Sequence, residues 1–431
     1  MRTVGIITEY NPFHNGHAYH IEQSKIQSGA DYCVVVMSGD FVQRGTPAII
    51  DKFSRAEMAL RCGADLVLEL PAVYACGSAE YFALGAVALL HSLGIVDTLC
   101  FGSECGDISL LAKVADILFQ EPADYRCILR DYLSQGDGFP AARQKAIKNY
   151  LLEICPDDQS QSTILASLLE DPNNILGIEY LKALRTLGSS IRPLTIQRKG
   201  GSYHQDFLDG TFSSATSIRK ILYAPSQLLK SMQRPADLLT PLKSEIPGDA
   251  FPVLEKAFGR SCPVTASDFS AMLHYRLLMV SSCEELTQFL DISADLAKRI
   301  YAHIPYFRDL DSFVAIIKTR QYTEGRIRRC LLHLLLGIRT DLVNSLKSSG
   351  CHRYLRVLGI RKESSPLLRQ IKECCSLPLI TKLADAHALL DSKGQAMLES
   401  DLFASQVYHS AVTSKYNREP YNEFTVKFPV I

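Results

Sequence analysis

The chain lacks several features that mark common protein classes. Its 13 cysteines are scattered, odd in number and contain no CxxC pair, which disfavours both a zinc site and a disulfide framework. No apolar run approaches the ~20 residues needed to span a bilayer, and no signal-like leader precedes the first strand-like segment. No low-complexity tract is present. These absences predict a folded, reduced, cytoplasmic protein with no membrane partner and no evident obligate protein partner.

Length and charge narrow the class further. A chain of 431 residues with 47% hydrophobic residues is expected to form two or three folded units with substantial cores. The formal net charge is zero, which argues against a uniformly basic protein. A protein whose charges are segregated along the chain is still compatible with this value.

The first half alternates short β-rich runs with helical patterns. Near-continuous apolar runs are typical of strands buried on both faces, and they occupy residues 3–8, 32–38, 64–70 and 96–103. Helical patterns occupy residues 16–28, 52–61, 78–93 and 107–119, and a further strand ending near Arg198 precedes a helix at 215–222. Alternating strands and helices predict an α/β fold with a doubly wound, Rossmann-like parallel sheet.

The pattern changes near residue 235. Prolines recur between Pro225 and Pro252 among Ser and Gly, and the patterns beyond them are mostly helical. We therefore predict an α/β domain at residues 1–235 and a mainly helical domain at 236–431.

Three histidines, His14, His17 and His20, open the first predicted helix directly after the first strand. Ligands bind at this position in doubly wound folds, Gly16 allows a close backbone approach, and free amides at a helix start favour an anion. A metal site would need three converging imidazoles, whereas a loop leading into a helix spreads them. The pattern predicts a phosphate site with no certain metal ligand from the protein, and it favours a solvent-facing helix position for His20.

Two short motifs resemble the signatures of one enzyme superfamily. HNGH at residues 14–17 resembles the HxGH signature of the nucleotidyltransferases, and SATSIR at 214–219 resembles their later SxTxIR signature. In that superfamily the imidazoles bind the phosphates of ATP and stabilise the transition state at the α-phosphate. The resemblance therefore implies catalytic roles for His14, His17 and Arg219.

Longer segments resemble a narrower family. They are EYNPFHNGH, VMSGDFVQRGTPAIIDKFSRAEMAL, GADLVLELP, FGSE, DPNNILGIEYLKAL, TIQRKGGSYH and YTEGRIRRCLLHLLL. Together they resemble the bacterial tRNA(Met) cytidine acetate ligases. The resemblance implies an ATP-dependent enzyme that activates acetate as acetyl-adenylate and acetylates N4 of the wobble cytidine of elongator tRNA(Met). Acetate and cytidine follow from the resemblance alone.

The resemblance also implies ATP-binding positions, residue by residue. The ATP-binding loop comprises Ile7, Thr8, Glu9, Tyr10, Asn11, Pro12, Phe13, His14, Asn15, Gly16, His17, Ala18, Tyr19 and His20. Further nucleotide contacts are Gly102, Asn173, Arg198, Lys199, Ser214 and Thr216. Structural alternatives stay open for three of them, because Gly102 also suits a turn, and Asn173 and Ser214 also suit helix caps.

The implied chemistry needs few further groups. Acetate is already a nucleophilic carboxylate, so charge neutralisation on the triphosphate is the main requirement, and a Mg²⁺ ion held mainly by phosphate would contribute to it. No cysteine nucleophile is needed. Asp40 and Lys52 follow the second strand and are candidates to form an acetate pocket or to relay a proton, although Lys52 could equally pair with Asp51 or Glu57.

The second half carries a segregated positive charge. Between residues 298 and 369 there are fifteen Lys and Arg residues against five Asp and Glu residues, with tyrosines interleaved. Such a segment suits phosphate contacts and base stacking in RNA, so we predict a tRNA-binding surface. Its predicted members are Arg320, Arg326, Arg328, Arg329, Arg353 and Arg356.

Two other functions stay open at this stage. A small-molecule adenylyltransferase would use the same two signatures but would not need the basic second half. A non-catalytic RNA-binding protein with a relic nucleotide site is disfavoured, because His14, His17 and Arg219 are all intact.

Overall fold

A computed structural model describes residues 1–154, 156–198, 214–223 and 235–431. Its main sheet has seven strands, and a short hairpin is formed by two more. The strands are β1 (Thr3–Thr8), β2 (Tyr32–Ser38), β3 (Phe41–Val42), β4 (Thr46–Pro47), β5 (Leu66–Leu70), β6 (Thr98–Ser103), β7 (Arg192–Gln197), β8 (Leu355–Ile360) and β9 (Leu379–Ile380). The main sheet has the order β7-β6-β1-β2-β5-β8-β9, and β3 pairs with β4.

Helices cover both faces of the sheet. Those of the first half are α1 (Asn15–Ser28), α2 (Lys52–Arg61), α3 (Ala72–Ala75), α4 (Ala79–Ser92), α5 (Ile108–Gln120), α6 (Ala123–Ser134), α7 (Phe139–Ile154), α8 (Gln159–Ser167), α9 (Pro172–Thr186) and α10 (Ala215–Leu222). Those of the second half are α11 (Phe251–Ala257), α12 (Ser270–Leu278), α13 (Cys283–Leu286), α14 (Ala294–His303), α15 (Leu310–Ile317), α16 (Glu324–Leu336), α17 (Thr340–Ser348), α18 (Ser365–Cys374), α19 (Ala386–Leu389) and α20 (Ser392–Tyr416). No described helix is both long enough and apolar enough to cross a bilayer.

The α/β prediction for the first half is confirmed. Strands β7, β6, β1, β2 and β5 are mutually parallel, and the predicted bounds of β1, β2, α2 and α10 match the structure. Strand β6 begins at Thr98, two residues after the start of the apolar run, and the side chain of the preceding Asp97 accepts the N–H of Thr3 (2.8 Å). The order reverses beside β1, so the carboxyl ends of β1 and β6 open the crevice where such folds bind ligands.

The second half completes the sheet. Strand β8 is buried along its whole length and pairs antiparallel with β5, and β9 pairs with β8. The sequence pattern indicated mostly helices here and did not assign this strand, because one buried apolar strand resembles a buried helix segment of the same length. The predicted division at residue 235 lies beside residues 224–234, which are outside the described residues, and it stays a prediction.

The two faces of the sheet bury separate cores. Alternate strand residues such as Ile6 and Val35 pack with α1, α2 and α10 in one core. Their neighbours, such as Ile7 and Val34, pack with α4, α5 and α9 in the other, which extends into α14 to α17 and α20. The helices that carry the two sequence signatures therefore lie on one face, and the helices α4 to α9 lie on the other.

Candidate active site

A cleft of about 880 Å³ opens at the carboxyl ends of β1, β6 and β7. This volume lies near the upper end of the ~300–1,000 Å³ typical of small-molecule sites. The cleft brings together residues that the sequence analysis took from distant segments: His14, His17, His20, Gly102, Asn173, Arg198, Ser214, Thr216 and Arg219. Lys199 lies outside the described residues.

The two signature histidines cap helix α1 with one ring nitrogen each. Nδ1 of His14 accepts the N–H of Gly16 (3.1 Å), and Nδ1 of His17 accepts the N–H of His14 (3.3 Å). The two rings stack with centroids 3.7 Å apart. Because each Nδ1 is an acceptor, a neutral ring must carry its proton on Nε2, and both rings then offer an N–H donor.

The pKa values of all three histidines favour the neutral ring. Burial, reinforced by Arg198 and Arg219, lowers the pKa of His14 to about 3. Burial together with the neighbouring His14 and Arg198 also lowers the pKa of His17. The pKa of His20 falls to about 4, again because of burial and then Arg198. At neutral pH the cleft thus holds neutral imidazole donors beside permanently charged guanidinium groups, an arrangement suited to an anion.

Helix α10 holds Arg219 against the first signature. One terminal nitrogen of its guanidinium donates to the carbonyl of Asn11 (2.6 Å), and the other donates to Oγ1 of Thr216 (3.1 Å). Ser214 caps the helix, since its Oγ accepts the N–H of Ser217 (3.1 Å). The cap interpretation of Ser214 is therefore confirmed, and the residue also lies on the cleft wall.

Gly102 permits a close contact at the end of β6. A Cβ at this position would lie 3.3 Å from Cγ of Arg198, so a larger side chain would compete with the arginine for the space at the cleft. Burial lowers the pKa of Arg198, with Glu104 opposing that effect. A partly desolvated guanidinium at a strand end favours an anionic ligand.

The start of helix α9 is capped by a carboxylate from another segment. Glu104 accepts the side-chain amide of Asn173 (2.6 Å) and the backbone N–H of Asn174 (2.8 Å). Asn174 in turn accepts the N–H groups of Glu104 and Cys105 through its Oδ1. Asn173 is thus engaged by Glu104 while its side chain lines the cleft, and the sequence analysis missed both Glu104 and Asn174.

The predicted ATP-binding loop is divided between cleft and interior. Ten of its fourteen residues line the cleft: Ile7, Thr8, Glu9, Tyr10, Asn11, His14, Gly16, His17, Tyr19 and His20. The other four, Pro12, Phe13, Asn15 and Ala18, do not line it. Phe13 is fully buried, and Asn15 donates to the carbonyl of Ser244 (2.7 Å). His20 was favoured as a solvent-facing residue, but it lies on the cleft wall with its Nε2 3.7 Å from Sγ of Cys100.

The cleft is also lined by two arginines that the sequence analysis did not place there. Arg44 lies in the turn between β3 and β4, and Arg329 lies on α16. This turn packs on α16 so closely that a Cβ on Gly45 would lie 2.4 Å from the backbone nitrogen of Arg329. Gly45 has φ +75°, a conformation that glycine adopts without strain, so it could have signalled the close contact.

Arg55 is a further residue that the sequence analysis did not single out. It is fully buried, and its guanidinium donates to the carbonyls of Glu9 (2.6 Å), Ser38 (3.0 Å) and Ile50 (3.0 Å). Because these carbonyls end β1 and β2 and precede α2, Arg55 fixes the loops that surround the cleft. A buried arginine of this kind gives no sequence signal beyond its place in an apolar helix.

The prediction that Asp40 and Lys52 form an acetate pocket or proton relay is not supported by their positions. Both side chains are buried, and neither lines the cleft. Lys52 Nζ lies 2.8 Å from Glu69 and 2.5 Å from Glu423, and Asp40 accepts the Oγ–H of Ser405 on α20 (2.9 Å). These groups join β5 and α2 to the second half, which is a structural role.

The predicted tRNA-binding arginines occupy unlike environments. The assignment of Arg356 is wrong, because its guanidinium is buried and paired with Glu69 (3.1 Å) and Glu423 (2.6 Å). Arg329 lines the cleft instead of the outer surface. Arg328 pairs with Asp311 and Glu324, Arg353 pairs with Asp391, and Arg326 lies 5.4 Å from the centroid of Tyr322. Only Arg320 among the six has a side chain that is mostly exposed, at 78%.

The described side chains were compared with the needs of a metal site and of a cysteine nucleophile. No group of three or more His, Cys, Asp or Glu residues in these ranges could hold a metal ion. None of the 12 described cysteines lines the cleft. Cys100, the nearest to the histidines, is buried, and burial raises the pKa of its thiol to about 12, so no thiolate is available at neutral pH.

Comparisons with known proteins identify the family of the chain. The model of the HIGH Nucleotidyl Transferase family matches residues 1–423. A tRNA(Met) cytidine acetate ligase of Caldanaerobacter subterraneus is 42% identical over 95% of both chains, and one of Acetivibrio thermocellus is 39% identical over 99% of both. The chain belongs to the HIGH nucleotidyl transferases, within the tRNA(Met) cytidine acetate ligase family.

Solved structures show the same overall fold. The crystal structure of Thermotoga maritima TmcAL bound with alpha-thio ATP is 30% identical, with a TM-score of 0.87 over 100% of both chains. The apo form of the same protein gives a TM-score of 0.89 at the same coverage. That relative therefore binds an ATP analogue on this fold.

Proposed function

We propose that the protein is an ATP-dependent ligase that activates acetate as acetyl-adenylate and acetylates N4 of the wobble cytidine of elongator tRNA(Met). The observation that carries the proposal is the convergence of two neutral imidazole donors, His14 and His17, with Arg219 in a cleft at the end of β1. The family membership and the ATP analogue bound by the Thermotoga relative support it.

In the first step a carboxylate oxygen of acetate attacks the α-phosphorus of ATP, and the bond from that phosphorus to pyrophosphate breaks. The Nε2–H groups of His14 and His17 donate to the phosphate oxygens as their charge increases, while Arg219 and Arg198 neutralise the leaving pyrophosphate. A Mg²⁺ ion would add charge neutralisation and would be held mainly by phosphate oxygens, because the described residues offer no three-ligand cluster. No general base is needed, since acetate is already ionised.

In the second step N4 of cytosine attacks the carbonyl carbon of acetyl-adenylate. The bond from that carbon to the AMP oxygen breaks, AMP leaves with the electron pair, and the nitrogen loses one proton. The mixed anhydride is reactive enough that no covalent enzyme intermediate is required, in agreement with the absence of cysteine from the described cleft wall.

A basic depression beside the cleft is suited to tRNA phosphates. Its charged and titratable lining residues are Lys298, Arg299, His303 and Arg320, together with one carboxylate, Asp295. Arg320 also pairs with Asp137 (2.8 Å), and the exposed rings of Tyr301 and Tyr306 lie on the same segment. Cations interleaved with exposed aromatic side chains suit a splayed single-stranded RNA loop.

We expect acetate to support exchange of pyrophosphate into ATP and longer carboxylic acids to support it poorly, because the acid must fit between the α-phosphate and the cleft wall. The exchange would be measured for acetate, propionate and butyrate, with and without tRNA. Equal rates with acetate, butyrate and a phosphorylated acceptor would contradict the acetate assignment and favour a small-molecule adenylyltransferase.

Removing the two most exposed cations of the basic depression should weaken RNA binding. We expect the double variant Lys298→Ala, Arg320→Ala to flatten the dependence of log Kd on log salt by up to about two phosphate contacts' worth of slope. Pyrophosphate exchange without tRNA should persist. A matched control is Arg369→Ala, an exposed arginine whose only described salt bridge is to Glu373. An unchanged salt slope would mean that tRNA binds to another surface of the protein.

A further inference from the structure

The cleft has a second wall that carries neither the signature histidines nor Arg219. The histidines and Arg219 lie on the wall formed by α1 and α10, whereas the opposite wall is built by α4, α6, α7 and α9. We call this opposite wall the far wall and define it by six residues. They are Phe82, Tyr125, Phe139, Arg143, Leu176 and Glu179.

A buried ion pair lies at the far wall. Arg143 and Glu179 are joined by a 2.8 Å contact between a guanidinium nitrogen and Oε1, and Glu179 is only 4% exposed. The second oxygen, Oε2, has no hydrogen-bond partner among the described residues, although Lys182 Nζ lies 3.8 Å away. Nε of Arg143 is also buried without a described partner. Unpaired buried atoms of this kind are costly unless an ordered water or a ligand satisfies them.

The free acceptor and donor match a base edge that places an amine beside a ring-nitrogen acceptor, which cytosine and adenine both have and uracil lacks. Cytosine presents an N4 amine that donates, followed by N3 and O2, which accept. A carboxylate accepts from the amine, and a guanidinium donates to N3 or O2. Uracil presents the opposite groups at the first two positions, a carbonyl and an N–H, so the same pair would repel it.

The surrounding residues suit a base turned out of an RNA loop. Phe139 presents an exposed ring (51%), whereas the rings of Phe82 and Tyr125 are buried in the core, and stacking on an exposed ring is the usual way that proteins hold unstacked bases. Gly136 lines the basic depression and Phe139 lines the cleft, while Tyr322 lines the depression and Thr323 lines the cleft. The two sites therefore share an edge, and a chain whose phosphates contact the depression could place a base in the cleft.

We propose that the far wall binds the target cytosine, with Glu179 accepting from N4 and Arg143 donating to N3 or O2, so that this pair selects cytosine over uracil. The inference rests on the proposed function. It assigns Glu179 and Arg143 as residues that contact the acceptor base, separate from the histidines that contact ATP.

The test uses Glu179→Gln, which keeps the shape of the side chain and removes its charge. The ratio of acetyl transfer to tRNA-independent pyrophosphate exchange should fall about tenfold to hundredfold, the range expected for one base-edge contact. Competition binding would compare two anticodon hairpins that differ only by C or U at the acceptor position. The full protein should prefer the C hairpin, and the variant should lose that preference because an amide can either donate or accept.

The control neutralises a paired carboxylate outside the cleft, one that is more exposed (49%) than Glu179. Asp116 pairs with Arg185 (2.6 Å) between α5 and α9, and neither residue lines the cleft. Asp116→Asn should leave both the ratio and the hairpin preference unchanged. If Glu179→Gln instead raises the KM for ATP in the exchange reaction, adenine occupies the far wall and the inference is wrong.

A second variant keeps the test decisive if Glu179→Gln does not fold. Leu176→Trp enlarges a side chain that lies on the cleft wall and is not fully buried. It should reduce acetyl transfer while acetate-dependent exchange continues, and unchanged acetyl transfer would overturn the inference. Failure of the proposed function would look different, since the unmodified protein would then show no acetate-dependent exchange.

Discussion

Replacing His17 with alanine is expected to slow acetyl-adenylate formation by about two to three orders of magnitude. One preorganised donor to a developing anion is typically worth roughly 3 to 4 kcal/mol of transition-state stabilisation. His17 is positioned for this role because its Nδ1 accepts the N–H of His14, which leaves the proton on Nε2. Acetate-dependent pyrophosphate exchange would measure the loss, after circular dichroism has shown that the variant is folded.

The control for this variant separates catalysis from helix capping. Alanine at position 17 also removes the acceptor for the N–H of His14, so part of any loss could come from a disordered helix start. His17→Asn restores an acceptor near the position of Nδ1 without restoring the Nε2–H donor. We expect it to recover stability but not the exchange rate. Recovery of both would mean that His17 acts only as a cap. Binding of tRNA should change little in either variant, since the basic depression lies outside the histidine wall.

The sequence predicted most of the first half because its signals are local. Continuous apolar runs identify the first and last residues of β1 and β2, and a helical pattern identifies those of α2. The position of His14, Gly16 and His17 on the cleft wall was also predictable, because they directly follow the first strand of a parallel sheet, where such folds bind ligands. Strand β8 could not be assigned in the same way, because its pairing with β5 joins residues nearly three hundred positions apart and no local pattern records it.

Charged residues were the harder part of the prediction. A count of Lys and Arg over a segment does not tell whether a given side chain reaches solvent, binds a nucleotide or is buried in a pair. Arg320 is exposed, Arg329 lines the cleft and Arg356 is buried, although all three occur in one basic stretch. The environment of each depends on acidic partners elsewhere in the chain, such as Asp137 and Glu423.

The largest expected effect on stability comes from the buried charges that join the two halves. Lys52 and Arg356 face Asp40, Glu69 and Glu423, and all five side chains are buried. Burial alone would raise the pKa of Glu423, but Lys52 and Arg356 reverse that effect and hold it at about 2. The carboxylate is therefore ionised at neutral pH, and both cations compensate its buried negative charge.

We expect Lys52→Met to reduce the free energy of unfolding by about 3 to 5 kcal/mol, because removing one partner leaves a buried charge without compensation. Chemical denaturation would measure it. Arg61→Met provides the matched control, since it breaks an exposed pair with Glu57 that should contribute at most ~1 kcal/mol. Because Lys52 does not line the cleft, the folded fraction of Lys52→Met should retain acetate-dependent exchange. If the variant instead has normal stability but has lost this exchange, Lys52 belongs to the acetate pocket.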